Sequence, residues 1–66
     1  MSLKLHVTQY LEPKVYEYEA DLDTVVVIAM DGMVECLFAI DRITDKEGKT
    51  LLDHDGILDY AFRNNL

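Results

Sequence analysis

An Asp-Gly pair at positions 31 and 32 separates two segments of different pattern. Before it stands a β-branched run, Thr24-Val25-Val26-Val27-Ile28-Ala29-Met30. After it, from Met33 to Ile43, Val34, Cys36, Phe38 and Ile40 alternate with Glu35, Leu37, Ala39 and Asp41. Asp-Gly is a favoured two-residue hairpin turn because both central residues need positive φ. β-Branched side chains pack well on a pleated surface and lose rotamer freedom in a helix. The combination predicts a central antiparallel hairpin whose first strand, Thr24–Met30, is buried on both faces.

The flanking segments extend this pattern. Leu3 to Leu11 fits a strand with Leu3, Leu5, Val7 and Leu11 on one face; as a helix it would group Leu3, Val7, Tyr10 and Leu11. The strand is favoured, since Pro13 follows closely and so short a helix gains little alone. Tyr16 and Tyr18 alternate with Glu17 and Glu19, a period of two that fits a half-exposed strand. Asp45-Lys46-Glu47-Gly48-Lys49 predicts a polar turn into a short strand, Thr50-Leu51-Leu52. Asp53 or Asp55 is placed to cap a C-terminal helix. Its apolar stripe would be Ile57, Leu58, Ala61 and Phe62, with Asp59 and Arg63 paired at i, i+4. The expected fold is α+β: a small antiparallel sheet of four to five strands with a central Asp-Gly hairpin and one C-terminal helix packed on one face. Residues 1–66 are expected to form a single small acidic domain.

Only 66 residues are available, and a chain of this size buries about 60% of its unfolded surface. Cys36 is the one cysteine, so no internal disulfide is possible and nothing points to a secreted, stapled scaffold. There is no apolar run of membrane-spanning length and no basic-then-apolar leader, so a cytoplasmic protein without membrane contact is expected. The net charge of −7 lacks the basic footprint that direct nucleic-acid binding needs.

No chemical motif is complete. A calcium loop placed on Asp53, Asp55 and Gly56 has Leu51 and Phe62 at its anchoring positions. Zinc ligation would have to draw on His6, Cys36 and His54 from distant segments. Gly48-Lys49-Thr50 lacks the glycine that a phosphate-binding loop needs five residues earlier, where Ile43 stands. Ser2 and Cys36 have no obvious base, so no catalytic residue, metal or cofactor is expected, and the chain is read as a non-enzyme.

The acids carry the most distinctive pattern. Glu12, Glu17, Glu19, Asp21, Asp23 and Asp31 fall within residues 12–31 against Lys14 alone. If one strand ran through Glu17, Glu19, Asp21 and Asp23, their carboxylates would form a ladder about 6.6 Å apart. With Asp31 and Glu35 nearby, such a face would suit the basic surface of another protein, one that normally holds nucleic acid. Duplex DNA is about fourfold denser in charge, so imitation would require two ladders in a dimer. Self-association is also expected because one helix cannot cover both sides of the Thr24–Met30 strand. Tyr16, Tyr18, Val25, Val27 and Ala29 are the candidate dimer or apolar contact residues.

In size and charge the chain is similar to small acidic phage or mobile-element proteins that block a host factor, some by imitating DNA. The resemblance implies an inhibitor of a host factor and assigns no residue; with the acidic pattern and the expected self-association it gives a homodimer acting on a nucleic-acid-binding protein. The competing expectation is an assembly or adaptor subunit that binds through an exposed apolar strand face.

Overall fold

The computed structural model describes all residues, Met1–Leu66. Strands β1 (Ser2–Gln9) and β2 (Glu12–Glu19) form a hairpin and are followed by helix α1 (Leu22–Val34). Strands β3 (Ala39–Asp45) and β4 (Thr50–Asp53) form a second hairpin, and helix α2 (His54–Arg63) ends the chain. All neighbouring strands are antiparallel, in the order β2-β1-β3-β4. β2 and β3 therefore run parallel on either side of β1, joined by α1. The α+β class and the antiparallel sheet are as the sequence predicts.

β1 sits inside the sheet because its alternation is the cleanest in the chain. Leu3, Leu5 and Val7 are buried, while Lys4, His6 and Thr8 face the opposite side and are half-buried. Both helices cover the first of these faces. Val25, Val26 and Ala29 of α1 and Ile57 and Ala61 of α2 join Leu3, Leu5, Val7, Ile40 and Ile43 in one core. Ile40 and Ile43 are three apart, so strict alternation would send them to opposite faces. A bulge opposite His6/Val7, with Asp41 as the extra residue, returns both to the core.

The largest departure from expectation is α1. Thr24–Met30 is helix rather than strand, and Asp31-Gly32 lies inside that helix rather than in a hairpin. Val25, Val26, Ala29 and Gly32 are the buried residues, a spacing of i, i+1, i+4, i+7 that belongs to a helix face. Asp21 caps the helix, its Oδ1 accepting from the Thr24 amide at 2.9 Å. A helix here lets one set of side chains pack on the sheet. A strand buried on both faces would have needed cover on two sides, which a chain this short cannot supply.

The segment after it changes accordingly. Met33 and Val34 end α1, and only Ala39 onward is strand. Cys36 is exposed at φ 59, not buried on a strand face. Its amide bonds the Met33 carbonyl and the Leu37 amide bonds the Gly32 carbonyl, the two hydrogen bonds of a Schellman cap. α2 ends the same way, with Asn65 at φ 54, its amide on Phe62 and the Leu66 amide on Ala61. There are thus two helices on the sheet rather than one. In α2, Asp53 is the cap, its Oδ1 accepting from Gly56 at 2.7 Å, and Asp59 pairs with Arg63 at 2.9 Å. Phe62, expected in the apolar stripe, is 85% exposed instead.

Candidate interaction surface

The six acids expected to bind a partner, the Glu17, Glu19, Asp21 and Asp23 ladder with Asp31 and Glu35, are divided among three places. Glu17 and Glu19 are exposed on β2, opposite Lys4 and Ser2 of β1, on the sheet face that carries no helix. Asp21 and Asp23 lie at the start of α1. Asp31 and Glu35 lie at its other end, roughly 18 Å away at the helical rise. The four-carboxylate ladder therefore does not form, because the strand ends at Glu19 and the chain turns into a helix.

Two of these acids accept hydrogen bonds that hold the fold. Hydrogen bonds from the Thr24 side chain and amide hold the Asp21 carboxyl below its ordinary pKa. Asp23 accepts a hydrogen bond from the Tyr60 hydroxyl, which ties the start of α1 to α2 and raises the pKa of that phenol. Glu19 rims a shallow cleft of about 460 Å³ with Met1, Ser2, Asp45, Lys46 and Glu47, and its carboxylate lies 3.8 Å from the Met1 amino group. Asp45 is occupied within its own turn, where its Oδ1 accepts from the amides of Glu47 and Lys49, both at 2.9 Å.

The apolar set is divided too. Val25 and Ala29 are fully buried in the core of the single chain. Val27 lies on the outer side of α1 and is 36% exposed. Tyr18 packs against the core edge, and Tyr16 lies further out, tilted against Phe38 with ring centroids 6.4 Å apart. The Tyr16 hydroxyl donates to Gln9 Oε1 at 2.6 Å.

The two histidines do not meet. His6 Nε2 shares a 2.8 Å hydrogen bond with the hydroxyl of buried Thr44. Burial, then the charges of Arg42 and Lys4, lower its pKa. His54 Nδ1 lies 2.9 Å from the Ile40 carbonyl and donates to it. No group of three or more His, Cys, Asp or Glu side chains is placed to hold a metal ion, and no helix is long and apolar enough to cross a membrane.

A surface that the sequence did not single out stands at the opposite end of the sheet from the cleft. The β1–β2 turn consists of Tyr10 and Leu11 alone, flanked by the Gln9–Glu12 pair. Both residues have positive φ, 53° and 65°, which makes this a type I′ turn. That turn is usually built from Asn and Gly; for other L-residues the left-handed region costs about 1–2 kcal/mol each. Tyr10 is 89% exposed and Leu11 97%. Thr8 pairs with Ala39, so the α1–β3 connection, with exposed Leu37, lies at this same end. The sequence pattern hid this tip because Leu11 continues the Leu3-Leu5-Val7 series and so looks like a core residue. The turn begins one residue before it. Compared with protein-family models, curated proteins and solved structures, the chain matches none.

Proposed function

We propose that the protein is a non-enzymatic protein-binding module that engages its partner through the apolar Tyr10–Leu11 tip, with Leu37 beside it. The supporting observation is the tip itself. Two large apolar side chains sit in an unfavourable backbone region and contact almost nothing in their own chain. The fold gains no burial from them, and Asn-Gly would form the same turn at lower cost. A tyrosine and a leucine projecting from a rigid hairpin are suited to a partner's apolar pocket, where an aromatic anchor supplies much of the binding energy. This is the adaptor reading, moved from the Thr24–Met30 segment to the hairpin tip. In this reading the protein works in the cytoplasm, where exposed Cys36 stays reduced.

The test is the double variant Tyr10→Asn with Leu11→Gly. It should raise unfolding stability by about 1–3 kcal/mol, since both replacements suit the turn. It should also abolish capture of the partner from lysate, and the wild-type complex should survive high salt. Retained capture by the stabilised variant would remove the tip from the interface.

A second reading rests on the acidic cleft rim, where Glu19 and Glu47 lie near one another with Glu17 further along β2. There the partner is a basic, nucleic-acid-binding protein, and the chain is an inhibitor of the DNA-mimic kind. A partner that the tip variant still binds, that leaves at moderate salt, and that Glu17→Lys with Glu19→Lys loses would select this reading.

A further inference from the structure

β2 is the outermost strand on one side of the sheet, eight residues long and paired to β1 without a register shift. Hydrogen bonding to β1 alternates along it. Gln9 and Glu12 close the two-residue turn, and at the other end the Ala20 amide bonds the Met1 carbonyl at 2.9 Å. Even-numbered residues of β2 therefore bond inward, and Pro13, Val15, Glu17 and Glu19 present their backbone groups outward. The opposite edge differs: β4 has four residues and a bulge beside Thr44, features that blunt an edge.

We propose that the free edge of β2 pairs antiparallel with β2 of a second copy of this chain, about a two-fold axis through Tyr16. The two four-stranded sheets then become one continuous sheet. The charge sequence of the strand selects the register. An axis at Lys14 sets Lys14 against its own copy, and an axis at Glu17 does the same to Glu17. An axis at Tyr18 sets Glu17 against Glu19. Like charges directly opposite each other are unfavourable in a sheet. An axis at Val15 avoids them but leaves only about four backbone hydrogen bonds, because Pro13 has no donor. With the axis at Tyr16, about six bonds form. Val15 then faces Glu17, Lys14 faces Tyr18 and Pro13 faces Glu19, so no charge opposes its like.

The same register joins two aromatic pairs. Tyr16 already leans on Phe38. Facing residues that do not exchange hydrogen bonds bring their side chains closest, so the two Tyr16 rings meet between the two Phe38 rings. The remaining like-charge contact is diagonal, Glu17 to Glu17 across the axis, with Lys4 beside each. The two Tyr10–Leu11 tips point to opposite ends of the assembly, so this interface is separate from the proposed partner contact.

The experiment is sedimentation equilibrium of the full chain from micromolar to about 1 mM, the range where a small edge-to-edge contact is read. The wild-type chain is expected to dimerise reversibly. Val15→Pro removes an outward N–H without touching the β1 ladder and should weaken the dimer about tenfold or more. Tyr16→Lys, which places like charges on the axis, should do the same, and Glu17→Gln should tighten it. Circular dichroism checks that each variant is folded, and Tyr16→Lys serves if Val15→Pro is not. A wild-type chain that stays monomeric at about 1 mM overturns the proposal. So does a dimer indifferent to both weakening variants, or one lost in the Tyr10→Asn, Leu11→Gly variant, which would move the interface to the tip.

Discussion

Gly32 is buried in the last turns of α1 beneath the ring of Phe38. A Cβ at this position would stand 2.1 Å from Phe38 Cζ, well inside contact distance. Alanine would improve helix propensity by about 1 kcal/mol. The ring would have to swing off Tyr16 and out of its site, and overpacking of this kind costs about 1–3 kcal/mol. The clash wins: Gly32→Ala should lower stability by about 1 kcal/mol in urea unfolding. In a Phe38→Ala background the sign should reverse, because only the propensity gain is left. The Asp-Gly context of this glycine predicts a turn; close approach of a ring, not a positive φ, accounts for it here.

At the scale of elements, the helix ends were more legible than the helix interior. The place before the Ile57–Ala61 stripe marks Asp53 and Asp55 alike as caps, and Asp53 is the one that caps α2. Asp53→Ala should cost about 1 kcal/mol, and Asp53→Asn should recover most of it, both read as shifts of the urea midpoint. The sequence pattern hides α1 because five consecutive β-branched residues, Thr24 to Ile28, outweigh the other signals. Those signals were present: Asp21 three residues before Thr24, Asp23 in the first turn, and small residues at Ala29 and Gly32. Residue preference is a weak prior that packing overrides. The β1–β2 pair, by contrast, follows alternation without a break, since a slip of one residue would turn Leu3, Leu5 and Val7 outward.

For the whole molecule, pH gives a reading of how the open sheet face is held. His6 has a lowered pKa in the folded chain, from burial first and then from Arg42 and Lys4. The unfolded chain therefore takes up a proton before the folded one does. Stability should fall as pH drops through about 6.5 and level off once folded His6 is also charged. Urea midpoints at pH 7.5 and 5.5 check this; the difference should shrink in His6→Gln. Asp21 acts in a lower window. Its stabilisation is present above the unfolded carboxylate pKa and is lost as pH falls through the depressed folded value.

Local chemistry by itself determined much of this protein: the α+β class, β1 with its buried face, the Gly48 turn, the β4 strand and the capped α2. Each of these follows from interactions within a few residues, whether alternation, a capping carboxylate or a turn glycine. Tertiary structure decided the rest. It made Thr24–Met30 a helix, because one covered sheet face can take up a helical stripe but not a strand apolar on both sides. It placed Ile40 and Ile43 together through a bulge, and it separated the six acids by turning the chain at Ala20. It also left Tyr10 and Leu11 outside, since the register that buries Leu3, Leu5 and Val7 sends the chain back before Leu11 can reach the core. Burial of one apolar face is a property of the assembled sheet, and no local pattern specifies which apolar residues that sheet will exclude.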